Sequence, residues 1–168
     1  MCQTKRLSAA LLLLAASCAA RADFNDGVVA FMTGKFETAL QVFVPLAESS
    51  NHAYAQYFLA RMYETGQGVT EDMKIAAKWY RKAAQQGIGD AQLHLAMMYE
   101  HGQGVPKDFE YAYGWYSVAA HLGNTKAPPA LERVKAQLGE QELVEADKLS
   151  RDLIAQYGVT PASTARSQ

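Results

Sequence analysis

Residues 53–88 can be laid over residues 89–124 without a gap, and half of the 36 aligned positions are identical. Ala55-Gln56 falls on Ala91-Gln92, Leu59-Ala60 on Leu95-Ala96, and Met62-Tyr63-Glu64 on Met98-Tyr99-Glu100. Gly66-Gln67-Gly68-Val69 falls on Gly102-Gln103-Gly104-Val105, and Asp72 on Asp108. Ala76, Trp79-Tyr80, Ala83-Ala84 and Gly87 likewise meet Ala112, Trp115-Tyr116, Ala119-Ala120 and Gly123. A period of this length is the mark of a repeat architecture. One unit cannot bury all of its apolar surface alone, so the units must stack.

Each unit reads as two antiparallel helices. Helix A covers about Ala53 to Glu64, with Leu59, Met62 and Tyr63 at three- and four-residue steps. Gly66 and Gly68 break it, since glycine tolerates the left-handed conformation that ends many helices. Helix B starts near Asp72, a carboxylate suited to the free N–H groups of a first turn. Its apolar face is Ile75, Ala76, Trp79, Tyr80, Ala83 and Ala84, and Gly87 closes it. Pro106 opens the second helix B, where proline is tolerated. Ala60, Ala76 and Ala83 allow close helix approach, and Trp79 and Trp115 fill the space between units.

The flanks read as worn copies. A degenerate unit spans 24–51, with a break at Gly34 and a second helix that Pro45 bends or ends early. A capping pair spans 127–157: a helix from Pro128 to about Leu138, a break at Gly139, then an amphipathic helix from Glu140 to Tyr157. A solenoid needs such a terminal cap with one polar face. The expected fold class is therefore all-α, an α-solenoid of antiparallel helix pairs forming a single domain over 23–158. Residues 159–168 read as a disordered polar tail.

The first 22 residues read as a secretory signal peptide: Lys5 and Arg6, an apolar run from Leu7 to Ala16, then Ala20-Arg21-Ala22 as a small-x-small cleavage site. The apolar run is shorter than the roughly 20 residues a membrane span needs, so no membrane insertion is expected after cleavage. Both cysteines, Cys2 and Cys18, fall in this segment, which leaves the mature chain without thiol chemistry. Periplasmic or secreted localisation follows. Cleavage before Cys18 with lipid anchoring is the alternative, although Ala15 stands where lipoprotein signals usually carry leucine. The net charge of −1 gives no basic footprint for nucleic acid.

The repeated residues resemble the Sel-one-like repeat (SLR) family of tetratricopeptide-related solenoids. The likeness is specific over 53–124 and fades on both sides. Ala60 and Ala96 stand where that family usually has glycine, and Thr70 where it often has proline. The resemblance implies a right-handed superhelix, a concave face lined by helices A, and scaffold roles in protein complexes, with exported bacterial members tied to envelope assembly or host contact. The expected function is thus a non-catalytic module of the bacterial envelope, binding a protein or peptide partner on the helix A face. Identical positions serve packing and turns, so differing ones are free for recognition. On helix A these are Tyr57, Phe58 and Arg61 in the first unit and Leu93, His94 and Met97 in the second. Aromatic, Arg and Met side chains are common interface anchors.

Chemistry is harder to find. His94 and His101 lie about 10 Å apart along one helix, too far to share a metal. His52 and His121 sit near helix ends, and no HExxH, CxxC or phosphate loop occurs. Glu64 and Glu100 could form an acid/base pair, but they are equivalent positions in successive units, and local hydrogen bonding at the end of helix A accounts for both. No catalytic residue, metal ligand or cofactor is assigned. The alternative function is an envelope hydrolase acting on a cell-wall or β-lactam substrate. That activity is linked to cysteine-rich members of the family, and this chain lacks their paired cysteines.

Overall fold

The computed structural model describes residues 23–158, so the expected leader over 1–22 and the expected tail over 159–168 lie outside the described residues. Eight α-helices and no strand occur among the described residues. They are α1 (Phe24–Met32), α2 (Phe36–Glu48), α3 (Ala53–Thr65), α4 (Met73–Gln85), α5 (Gly89–His101), α6 (Phe109–His121), α7 (Ala127–Lys135) and α8 (Glu140–Tyr157). The A helices of the two clear units are α3 and α5, and the B helices are α4 and α6.

The boundaries follow from local chemistry. Asp72 accepts hydrogen bonds from the backbone N–H groups of Lys74 (2.8 Å) and Ile75 (2.9 Å), and Asp108 accepts from that of Tyr111 (3.0 Å). Both carboxylates thus satisfy orphan donors of a first turn. Gly66 (φ 68°) and Gly102 (φ 72°) end α3 and α5 in the left-handed region, where a side chain would be strained. Pro45 does not end α2, which runs on to Glu48. Proline removes one N–H, and both Pro45 and Gln41, whose carbonyl loses that donor, face solvent.

Each helix from α1 to α6 packs on the next. Alanine makes the close approach possible: Ala39, Ala60, Ala76, Ala83, Ala96, Ala112 and Ala119 are all fully buried. Trp79 and Trp115 are buried between these small residues, and the core is one continuous cluster from Ala30 to Leu153.

The C-terminal cap departs from the repeat. Both α7 and α8 lie against α6. The space for α8 comes from Gly114, where an added Cβ would come within 2.9 Å of Leu153. The matching position in the first unit is Lys78, which is exposed. Tyr113 donates to Asp147 Oδ1 (2.9 Å), and Trp115 stacks on Tyr157 with ring centres 5.5 Å apart. A differing position thus serves the cap rather than recognition.

Candidate functional site

The six side chains singled out on helices A meet different fates. Tyr57 is half-buried, with Tyr80 at 6.0 Å and His94 at 6.2 Å between ring centres. His94, from α5, stacks flat on Tyr80 (4.8 Å, 9°). The Arg61 guanidinium lies over the Phe31 ring at 5.3 Å and near that of Tyr57 at 6.0 Å. Met97 is 39% exposed. These four side chains lie on adjoining helix A faces of successive units.

Two residues do not fit the expected surface. Leu93 is 7% exposed and belongs to the core. It occupies the place of Tyr57 in the preceding unit, but it is shorter and has no polar end to carry outward, so it stays within the packing. Phe58 sits among Phe24, Phe31 and Phe43, with ring centres 5.9, 5.2 and 5.1 Å away. That cluster joins α1 and α2 to the first clear unit, and it occupies Phe58 with packing.

Glu64 and Glu100 also do more than close their own helices. Each takes the hydroxyl of a tyrosine on the following helix B: Tyr80 donates to Glu64 Oε2 (2.6 Å) and Tyr116 to Glu100 Oε2 (2.7 Å). Each is then met by a basic side chain from the next helix in line. His94 Nδ1 lies 3.4 Å from Glu64 Oε1, while Arg133 of α7 reaches both oxygens of Glu100 at 2.7 and 2.8 Å. A ladder of carboxylate, phenol and base therefore stitches unit to unit.

Burial alone would raise the Glu64 carboxyl, but hydrogen bonds from His94 and Tyr80 prevail and hold it below its ordinary value. Hydrogen bonding from Arg133 does the same for Glu100 against its burial. Burial, then the neighbouring carboxylate, pushes both phenols well above theirs. Such groups hold protons and charges fixed. Among the described residues, no three His, Cys, Asp or Glu side chains gather as a metal-binding group.

Spacing did not signal a second concave surface between the start of α6 and α8. Glu110, Tyr111, Glu142, Val144, Glu145 and Asp152 line it. It exists because α8 crosses at Gly114, a pairing that no periodicity announces.

Residues 53–88 and 89–124 each match the family model described as Sel1 repeat. The chain superimposes with a TM-score of 0.78, at 29% identity, on a protective antigen of uropathogenic Escherichia coli strains described as displaying an SLR fold, over 90% of this chain and 33% of that one. A Sel1 repeat protein from Oxalobacter formigenes superimposes with a TM-score of 0.63, again at 29% identity, over 78% of this chain and 55% of that one. In sequence, 65 residues are 38% identical to an exopolysaccharide production negative regulator of Rhizobium leguminosarum bv. viciae, covering 39% of this chain and 24% of the regulator. This chain thus spans between about a quarter and about half the length of these relatives.

Proposed function

Because this chain carries two Sel1 repeats within an SLR-type solenoid, we propose that it is a non-catalytic scaffold of the bacterial cell envelope that binds a protein or peptide on its helix A face. Sel1 repeats generally mediate protein–protein interaction, which supports a protein or peptide as the partner. The observation that carries the choice of face is the gathering of Tyr57, Arg61, His94 and Met97 on adjoining helices α3 and α5. All four differ between units that otherwise match at half their positions, and all four keep exposed surface. A core position is dictated by its neighbours, as Leu59 and Leu95 show. Tyr57, Arg61 and Met97 are not dictated in that way, whereas His94 also answers Glu64 and stacks on Tyr80.

The envelope part of the reading draws on the leader-like first 22 residues and on two relatives, one described as a protective antigen and the other as a regulator of exopolysaccharide production. Among the described residues no helix is long and apolar enough to cross a membrane.

Single alanine variants at Tyr57, Arg61 and Met97 test the face, each assayed by thermal melting and by capture of native partners from an envelope extract. Truncating an interface anchor costs about 2 kcal/mol or more of binding, whereas an exposed substitution shifts stability by under about 0.5 kcal/mol. Weakened capture with little change in melting is the expected result. Undiminished capture by all three variants places the binding surface elsewhere.

A further inference from the structure

We infer that Arg61 is an open rung of the carboxylate ladder and takes its missing carboxylate from the partner, so that the segment bound at this end of the face is acidic. This rests on the helix A face being the interaction face and names the chemistry of what binds there.

The comparison is internal to the molecule. Thr33 Oγ1 donates to the Val29 carbonyl and Thr65 Oγ1 to that of Arg61, each at 2.8 Å. The Lys35 N–H likewise bonds the Ala30 carbonyl, and that of Gln67 bonds Met62. These bonds put α1 and α3 in register, with Met32 at the place of Glu64. On the helix B side, Ala39-x-x-Val42-Phe43 repeats Ala76-x-x-Trp79-Tyr80, so Phe43 stands for Tyr80. Along the A helices, Arg61, Met97 and Arg133 fall 36 residues apart.

The three rungs can then be set side by side. The last is complete: Glu100, Tyr116 and Arg133, with the guanidinium bound to both carboxylate oxygens. The middle one has Glu64 and Tyr80, but Met97 takes the arginine position and His94 answers the carboxylate at 3.4 Å. The first has the arginine and lacks the rest: Met32 replaces the carboxylate and Phe43 the phenol.

Among the described residues, close contacts between basic and acidic side chains join Glu64 to His94 and Glu100 to Arg133, and none involves Arg61. Its guanidinium is steadied by the faces of Phe31 and Tyr57 instead. Stacking of this kind restricts the side chain while leaving the N–H edge available for a planar, two-pronged carboxylate. On α1, the helix that carries Phe31, Met32 is 75% and Val29 62% exposed, three residues apart. They offer an apolar seat for a side chain next to the incoming Asp or Glu. Glu64, one turn along α3 from Arg61, and Asp90 add negative charge near Tyr57.

A dye-labelled hexapeptide alternating leucine and glutamate, compared with its leucine–glutamine twin by fluorescence anisotropy, provides the test. The acidic peptide should bind at least about tenfold tighter, as a charge-assisted two-pronged bond requires. Arg61→Gln should erase that preference and Arg61→Lys should keep part of it. Met32→Glu supplies the missing carboxylate from within the chain, so it too should erase the preference with melting unchanged or raised. A preference that survives Arg61→Gln overturns the proposal. Equal binding of the two peptides, still weakened by Tyr57→Ala, removes the carboxylate claim and leaves the interaction face standing. Binding of neither peptide up to about 1 mM removes the claim as well, and the face is then judged by the capture experiment alone.

Discussion

Tyr80 and Tyr116 are fully buried, and each spends its hydroxyl on the carboxylate of the preceding helix A. A buried donor–acceptor pair of this kind costs more to break than it contributes intact, because the remaining partner is left without water. Tyr116→Phe should therefore destabilise by about 1–3 kcal/mol in chemical denaturation. The same rung makes a pH prediction. The Glu100 carboxyl titrates lower in the folded chain than in the unfolded one, chiefly because of Arg133. Its stabilisation is thus complete above the ordinary glutamate range and is lost as pH falls through the depressed folded value. Glu100→Gln should flatten this acid limb of the stability profile; an unchanged limb would show that the rung holds no charge. A neighbouring position shows the opposite situation. Gln56 Oε1 receives the Gln86 side-chain amide at 2.7 Å, whereas the matching Gln92 Oε1 is buried with no partner among the described residues. Gln86 is replaced by Leu122 in the second unit. Leu122→Gln should supply the donor and raise the melting temperature, by an amount equivalent to about 1 kcal/mol. Sequence marked Glu64 and Glu100 as equivalent, but their partners lie 16 to 33 residues away on other helices, and no local pattern reveals contacts at that range.

At the scale of helices, the repeat was readable because its signals are local: Asp at the start of α4 and α6, glycine after α3 and α5, and apolar steps of three and four. Pro45 shows where a local rule yields to position, since an exposed last turn tolerates the lost hydrogen bond. Trp79 and Trp115 test the stacking directly. Each is buried, and alanine at either site should cost about 3–5 kcal/mol; a loss below about 1 kcal/mol would contradict the packing described here. The crossing of α8 over α6 was not readable, because it depends on a missing side chain. Gly114→Lys restores the residue of the first unit and, in doing so, drives a side chain into Leu149 and Leu153. Displacement of α8 should follow, with faster amide exchange along Glu140–Tyr157 and red-shifted emission from Trp115 as it loses Tyr157. Retention of native exchange in α8 would show that the cap is held by other contacts.

As a whole, the described residues form a solenoid with unlike packing at its two sides. An aromatic cluster closes the N-terminal end, and a long helix laid across the last repeat closes the other. Between them the two clear units present helix A faces whose packing residues repeat and whose outer residues do not. Five of the six side chains expected on that face keep exposed surface and Leu93 is buried, while Phe58 and His94 are also engaged in ring packing. Difference between repeats told which positions are free of the repeat pattern, but not whether a neighbouring element had already claimed them. The most direct measurement of the central claim is photocrosslinking in the native host, with a light-activated residue placed at Met97 on the helix A face or at Lys78, which is exposed on α4. Discrete adducts with partner proteins from position 97 and none from position 78 is the predicted result; adducts from position 78 alone would contradict the account.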